Sequence, residues 1–257
     1  MLDSHTHLDL QDTEVAEALT MAAAAGVPRV VQVGIDVPSS VWSADMAARY
    51  AGLDATVALH PNEAPLLGGK LDAALAEIDV LAARPDVRGI GETGLDYFRT
   101  PPERREEQQR SFRAHIEIAK RHEKALVIHD RDAHDDILRI LVEEGPPDRV
   151  VFHCYSGDAD MARVCASRGY VMSFAGNVTF KNAEPLREAA RVAPRELLLV
   201  ETDGPFLTPM PYRGRPNAPY LIPITVRALA EIRGDDLDQL CQTLWTTGRR
   251  TFDQAYA

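Results

Sequence analysis

The chain has 257 residues, 45% of them apolar and 26% charged, a globular composition that excludes a disordered or fibrous protein. No apolar run approaches the ~18 residues needed to cross a bilayer. The formal net charge of -11 excludes the broad basic face that sequence-independent nucleic-acid coating requires, but not an enzyme that grips phosphate locally.

The opening MLDSHTHLDL lacks the basic and apolar blocks of a signal peptide. Residues 1–5 are the first of a series of short apolar runs, and 15–25 follow with helical spacing. Further runs lie at 29–34 and 55–60, then a helical stretch at 71–83 and a run at 87–92. Thr100-Pro101-Pro102-Glu103 has capping-box spacing with proline at the first helical position, and Phe112, Ile116 and Ala119 carry a long helix onward. Runs at 125–129, 149–153, 170–174 and 196–201 complete a set of eight, with a helix at 137–144 among them. A last helix is predicted over 235–256, facing the core with Leu237, Leu240, Leu244 and Trp245. Each run is continuous rather than alternating, as parallel strands buried on both faces require. Eight βα units in this length fit an α/β fold of the (β/α)₈ TIM-barrel type better than an open sheet. The expectation is one domain over 1–257. Cys154, Cys165 and Cys241 show no framework spacing, so reduced thiols in a cytoplasmic protein are expected.

Five of the eight histidines, His5, His7, His60, His129 and His153, fall at or just past predicted strand ends. In a barrel all those ends open on one face, where active sites are built. Glu92 and Asp203 join them there. His5 and His7, two apart in extended backbone, point to the same side and can pinch one cation. A lone HxH pair is weak, but with Glu92, His129, His153 and Asp203 on separate strand ends the set suits Zn, Mn or Mg, with enough ligands for two ions sharing a carboxylate. His115, His122 and His134 read as structural or solvated. Cys154, if in a strand, points away from His153 into packing. Asp9 and Asp96 are either partners of histidine N–H groups or turn residues.

The segments DSHTHLD, ALHPNEA, GIGETGLDY, VIHDRDA, FHCYSG, SFAGNVTFKNA and ETDGPFLTP run in order through the whole chain. Together they make the sequence resemble the TatD family of metal-dependent deoxyribonucleases, within the amidohydrolase superfamily of metallo-barrels. The resemblance implies a metal site at the C-terminal ends of the strands, with ligands at His5, His7, Glu92, His129, His153 and Asp203. It makes Glu92 the bridging carboxylate, and Glu201 an extra ligand if a third divalent ion binds. His60 would contact the substrate phosphate or leaving group. The implied activity is phosphodiester hydrolysis in DNA, as a 3′-to-5′ exonuclease using a metal-bridged hydroxide, with a role in DNA repair or turnover. Where the family commonly has HPH and ETDSP, this chain has His60-Pro61-Asn62 and Glu201-Thr202-Asp203-Gly204-Pro205; no implied ligand is lost.

For such chemistry Asp203, acceptor-only when ionised, can take a proton from the attacking water beside its metal. Arg131, Arg213 and Arg215 are phosphate clamps or surface ion-pair partners. The expected substrate is single-stranded DNA or a 3′ end, and no membrane or obligate protein partner is expected. One rival is C–N bond cleavage on a related barrel, often built around a carboxylated lysine at a strand end. Here Lys70, Lys120, Lys124 and Lys181 are the lysines, and none ends a predicted strand, whereas Glu92 does. The other rival, a metal-free barrel that binds a partner, sits poorly with a complete ligand set.

Overall fold

A computed structural model describes residues 1–253, so the end of the last predicted helix, 254–256, lies outside the described residues. The strands are β1 (Leu2–Thr6), β2 (Arg29–Val33), β3 (Leu53–Val57), β4 (Val87–Asp96), β5 (Ala125–Arg131), β6 (Val150–Phe152), β7 (Val171–Phe174) and β8 (Leu198–Val200). They form one eight-stranded sheet in sequential order. The segment leaving β8 pairs back to β1 through a parallel bridge between Thr6 and Gly204. Parallel strands in that order, joined by helices, are the (β/α)₈ barrel that the eight runs predicted. Their near-complete burial explains why each run is continuous in apolar residues.

By packing, the described chain divides into two compact units, one of Met1–Gln32 with His153–Thr251, the other of Val33–Phe152 with Phe252 and Asp253. The first holds β1 and β8, tied by Asp203 N–H to His5 O (2.9 Å) and His7 N–H to Gly204 O (2.8 Å). Its helices are α1 (Val15–Ala24) and, after the central unit in sequence, α7 (Ala159–Ser167), α8 (Glu184–Val192), α9 (Ile222–Arg233) and α10 (Leu237–Phe252). The second carries β3 to β6 with α2 (Val37–Arg49), α3 (Ala64–Leu67), α4 (Leu71–Ala82), α5 (Arg105–Arg121) and α6 (His134–Glu144). Asp36 caps α2, accepting from Ser39 N–H at 2.8 Å while Ser39 returns the bond.

Several local expectations are corrected. Thr100 does not cap α5: its hydroxyl is buried and accepts from Gln108 Nε2 at 2.7 Å, while Pro102–Arg104 make a 3₁₀ turn and the helix starts at Arg105. On α10 the buried stripe runs Leu240, Leu244, Thr247, Thr251. That spacing leaves Leu237 exposed in the first turn and Trp245 half-buried one step off the stripe. β4 and β5 run four and two residues beyond their predicted ends at 92 and 129, so Glu92 and His129 lie within strands. The added length pairs Gly94 with His129 and Asp96 with Arg131, after a register shift between Ile90 and Thr93. Gly94 permits this: its φ is +138° and a Cβ would collide with the His129 carbonyl.

Candidate metal centre

In the first unit, β1 delivers His5 and His7, and the turn after β8 delivers Asp203. His5 Nε2 and His7 Nε2 lie 3.3 Å apart, and Asp203 Oδ1 is 3.9 and 3.6 Å from them. A point equidistant from those three atoms is about 2.1 Å from each, which is the length of a metal–imidazole or metal–carboxylate bond. The donors therefore fit a divalent cation without rearrangement. Burial pushes the Asp203 carboxyl up, but the His7 hydrogen bond and the charges of His153, His5 and His7 outweigh it and hold the group below its ordinary range. Asp203 has φ +53°, a left-handed backbone that aspartate tolerates better than most residues.

His153, just past β6, stacks on His5 with ring centroids 3.8 Å apart. Its Nδ1 meets Glu201 Oε1 at 3.1 Å, so Nε2 is the ring nitrogen this contact orients as a donor to a cation. Glu201 is fully buried, and the same oxygen accepts Cys154 N–H at 2.6 Å. It belongs to none of the candidate metal groups among the described residues, and its contacts are those of a carboxylate that orients a histidine. Asp3, unremarked in the sequence, is fully buried below His5. Burial raises its pKa to about 7 against hydrogen bonds from the Thr202 hydroxyl and amide and from His5 N–H. Cys154 is in a turn rather than a strand, because β6 stops at Phe152; its φ is +41°, so strand alternation does not set its direction.

The second unit gathers His60, Glu92 and His129. Glu92 Oε1 is 2.7 Å from His129 Nδ1 and 3.4 Å from His60 Nε2. On the far side of the His129 ring, Nε2 faces Asp96 Oδ2 at 3.3 Å. Asp96, one of two candidate partners in the sequence, is thus in contact with a predicted ligand, whereas Asp9 accepts from Gln32 in a turn. His60 was assigned to substrate; its Nε2 sits beside Glu92, and its Nδ1 accepts Asn62 N–H at 3.0 Å. The Asn62 amide donates to Asp96 Oδ2 at 3.0 Å. Behind them α5 inserts two buried side chains a helical repeat apart. Gln108 Nε2 donates to Pro61 O at 2.7 Å, and His115 Nε2 accepts Leu59 N–H at 3.0 Å. Both neighbours of His60 are held from the helix. His115 completes the stripe of Phe112, Ile116 and Ala119, a position from which its burial was readable.

The three arginines lie against aromatic rings. Arg131 is 3.8 Å from the Phe98 centroid, Arg213 4.3 Å from Phe180 and Arg215 5.8 Å from Tyr212. His134, read as solvated, opens α6 and pairs with Asp130 at 2.8 Å, while His122 pairs with Asp79 at 2.8 Å. Among the described residues no helix is long and apolar enough to cross a membrane.

A barrel whose strand ends present histidine–carboxylate groups at metal-ligand spacing has the architecture of a metal-dependent hydrolase. The family described as TatD related DNase matches residues 2–253, and the chain belongs to the TatD family. It is 44% identical to the uncharacterized metal-dependent hydrolase TatD of Mycobacterium tuberculosis, over 98% of this chain and 97% of that one. It is 35% identical to the uncharacterized metal-dependent hydrolase YabD of Bacillus subtilis, over 98% of both. Among solved structures, YJJV, a TatD homolog from Escherichia coli K12, superposes with a TM-score of 0.91 at 28% identity, covering 98% of each chain.

Glu201→Gln is expected to keep the His153 orientation but remove the charge that makes its ring basic, weakening divalent-ion affinity about 10- to 100-fold. Calorimetric titration with Mn²⁺ checks this. Unchanged affinity would remove Glu201 from any role at the metal.

Proposed function

We propose that this chain hydrolyses phosphodiester bonds in DNA, as a 3′-to-5′ exodeoxyribonuclease that uses two divalent ions, Mg, Mn or Zn. The observation that carries the reading is the His5–His7–Asp203 triangle, whose spacing suits a metal ion, in a chain of the TatD related DNase family. His5, His7, Glu92, His129, His153 and Asp203 would be the ligands, with Glu92 the shared carboxylate and Glu201 in reserve for a third ion. Bound there, such ions supply an activated water nucleophile at neutral pH and Lewis-acid stabilisation of phosphate charge. Asp203 accepts the proton of the attacking water, a role its ionised carboxyl suits. His60, with Nδ1 engaged by Asn62 N–H, presents Nε2–H to the leaving oxygen. Asp96 and Glu201 fix the rings of His129 and His153. Arg131, Arg213 and Arg215 position phosphates.

Carboxylated-lysine chemistry finds no support among these residues. Lys124, the buried lysine, sits near the start of β5, at the opposite end of the strand from His129 and Arg131, and donates to the carbonyls of Arg84 and Val87. With a net charge of -11, long-range attraction to DNA is weak. Binding then depends on about two to four phosphate contacts, with a salt slope near 0.7 per contact on a single strand.

The test is a metal-screened assay on end-labelled single- and double-stranded DNA, with RNA and closed circular duplex as controls, across a salt series. Stepwise loss from single-stranded or frayed 3′ ends with a shallow salt slope is expected, and metal analysis should find two ions per chain. Absence of phosphodiester cleavage with every divalent ion overturns the reading; equal cutting inside closed circles overturns the exonuclease assignment.

A further inference from the structure

Beyond Asp203 the chain builds a fixed loop before α9. The Asn217 amide donates to the carbonyls of Thr202 and Phe206, both at 2.7 Å, and Asn217 N–H donates to Pro205 O at 3.0 Å. Thr208 donates its hydroxyl to Arg215 O at 2.5 Å, and Arg215 N–H returns to Tyr212 O at 3.1 Å. A loop so tied still exposes its largest apolar side chains. Phe206 is 53%, Tyr212 41% and Tyr220 36% exposed, and Leu10, just past His7, is 50% exposed. Single exposed apolar residues need no explanation, but a run of aromatics on a rigid support marks a binding surface.

Leu10, Tyr212 and Tyr220 border a cavity of about 660 Å³ whose lining also includes Asp12, Pro205 and Arg215. Its size is that of a small-molecule site. It neighbours the first ligand cluster: Gln11, which lines it, donates to Thr6 Oγ1 and His7 O, and Phe206, next to the lining residue Pro205, sets its ring edge-on 6.4 Å from the His7 ring. The lining also selects. Two tyrosines, a leucine and a proline offer flat apolar walls. The lining carries one acid, Asp12, and one base, Arg215, so it offers no net charge to a phosphate. The fitting ligand is a neutral flat ring that carries its negative charge outside the cavity.

We propose that this cavity takes the unpaired nucleobase of a single-stranded nucleic acid whose adjoining phosphate lies at the His5–His7–Asp203 cluster, with Tyr212 and Tyr220 as stacking walls. The ligand class rests on the phosphodiesterase reading. A base held there is unpaired from its complement, so a paired terminus must fray before it can enter.

Binding rather than turnover tests it. A fluorescein-labelled phosphorothioate oligothymidylate and an abasic oligomer of equal length, which carries the same phosphates without bases, are titrated by anisotropy with Mg²⁺-supplied protein. The base-containing strand should bind at least about tenfold more tightly than the abasic one. Tyr212→Ala and Tyr220→Ala should each weaken it roughly 5- to 150-fold, the effect of deleting a stacking platform. Abasic binding should not change, and Tyr212→Phe should retain affinity. Equal affinity for the two strands, or variants that weaken both alike, overturns the proposal. Cleavage of bis(p-nitrophenyl) phosphate, a phosphodiester without a base, separates the two readings. Hydrolysis without base discrimination leaves the enzyme and removes the pocket. Base discrimination without hydrolysis leaves the pocket and removes the enzyme.

Discussion

Replacing Glu92 by glutamine is expected to lower phosphodiester turnover by about three orders of magnitude while changing folding stability by no more than about 1 kcal/mol. Glu92 is 4% exposed, with one oxygen 2.7 Å from His129 and 3.4 Å from His60. Glutamine keeps the shape and an oxygen that accepts from His129, so packing survives. What it loses is the charge. A carboxamide is a poor bridge between two cations, and a loss of several kcal/mol of charge stabilisation corresponds to the stated factor. Turnover at saturating metal together with thermal melting checks both halves. Near-normal turnover would remove Glu92 from the bridging role.

The second large effect is on stability in acid. His115 is fully buried, and burial lowers its pKa to about 4 against the pull of the Ser111 carbonyl. In the unfolded chain the ring titrates near 6.5. As pH falls through 6.5 the unfolded state takes up a proton that the folded state refuses until about 4, so stability present above 6.5 drains away across that window. The full loss is about 3 kcal/mol. Protonation would also turn Nε2, which accepts Leu59 N–H, into a donor facing a donor. His115→Gln should begin less stable at pH 7 and lose less on acidification. Denaturant midpoints from pH 7 to 4 decide it; parallel curves for variant and wild type would exclude His115 as the acid-sensitive group.

The fold was legible because buried parallel strands write themselves as continuous apolar runs, and eight such runs were countable. The Ala-rich helices α1 and α4 and the striped helices α5, α6 and α10 were visible as well. α2 was not, since its first turn carries Pro38 and two serines that read equally as loop, and only the reciprocal bond between Asp36 and Ser39 settles it. At the site, residue types announced themselves and their relations did not. His5 and His7 declared a shared direction by spacing alone. That His153 leans on Glu201, or that Asn62 joins His60 to Asp96, depends on contacts across loops that no local pattern encodes. The end of β4 was placed at Glu92, four residues early, because the pairing that extends it depends on the close approach of Gly94 to β5.

The two histidine–carboxylate groups differ in how far apart along the chain their members lie. His129 meets Glu92 across 37 positions, whereas the Asp3–Thr202 bonds that seat Asp203 beside His5 span 199. Closing the longer loop costs only about 1.5 kcal/mol more in chain entropy, so thermodynamics barely separates them. Synthesis does. On the ribosome the chain emerges from its N-terminus and folds as it lengthens, and the histidine pair waits for its carboxylate until Asp203 has been made. A transcript or polypeptide cut short anywhere before Asp203 therefore yields a product that keeps the histidine pair but lacks its carboxylate, and it is released with this metal-ligand triangle unfinished.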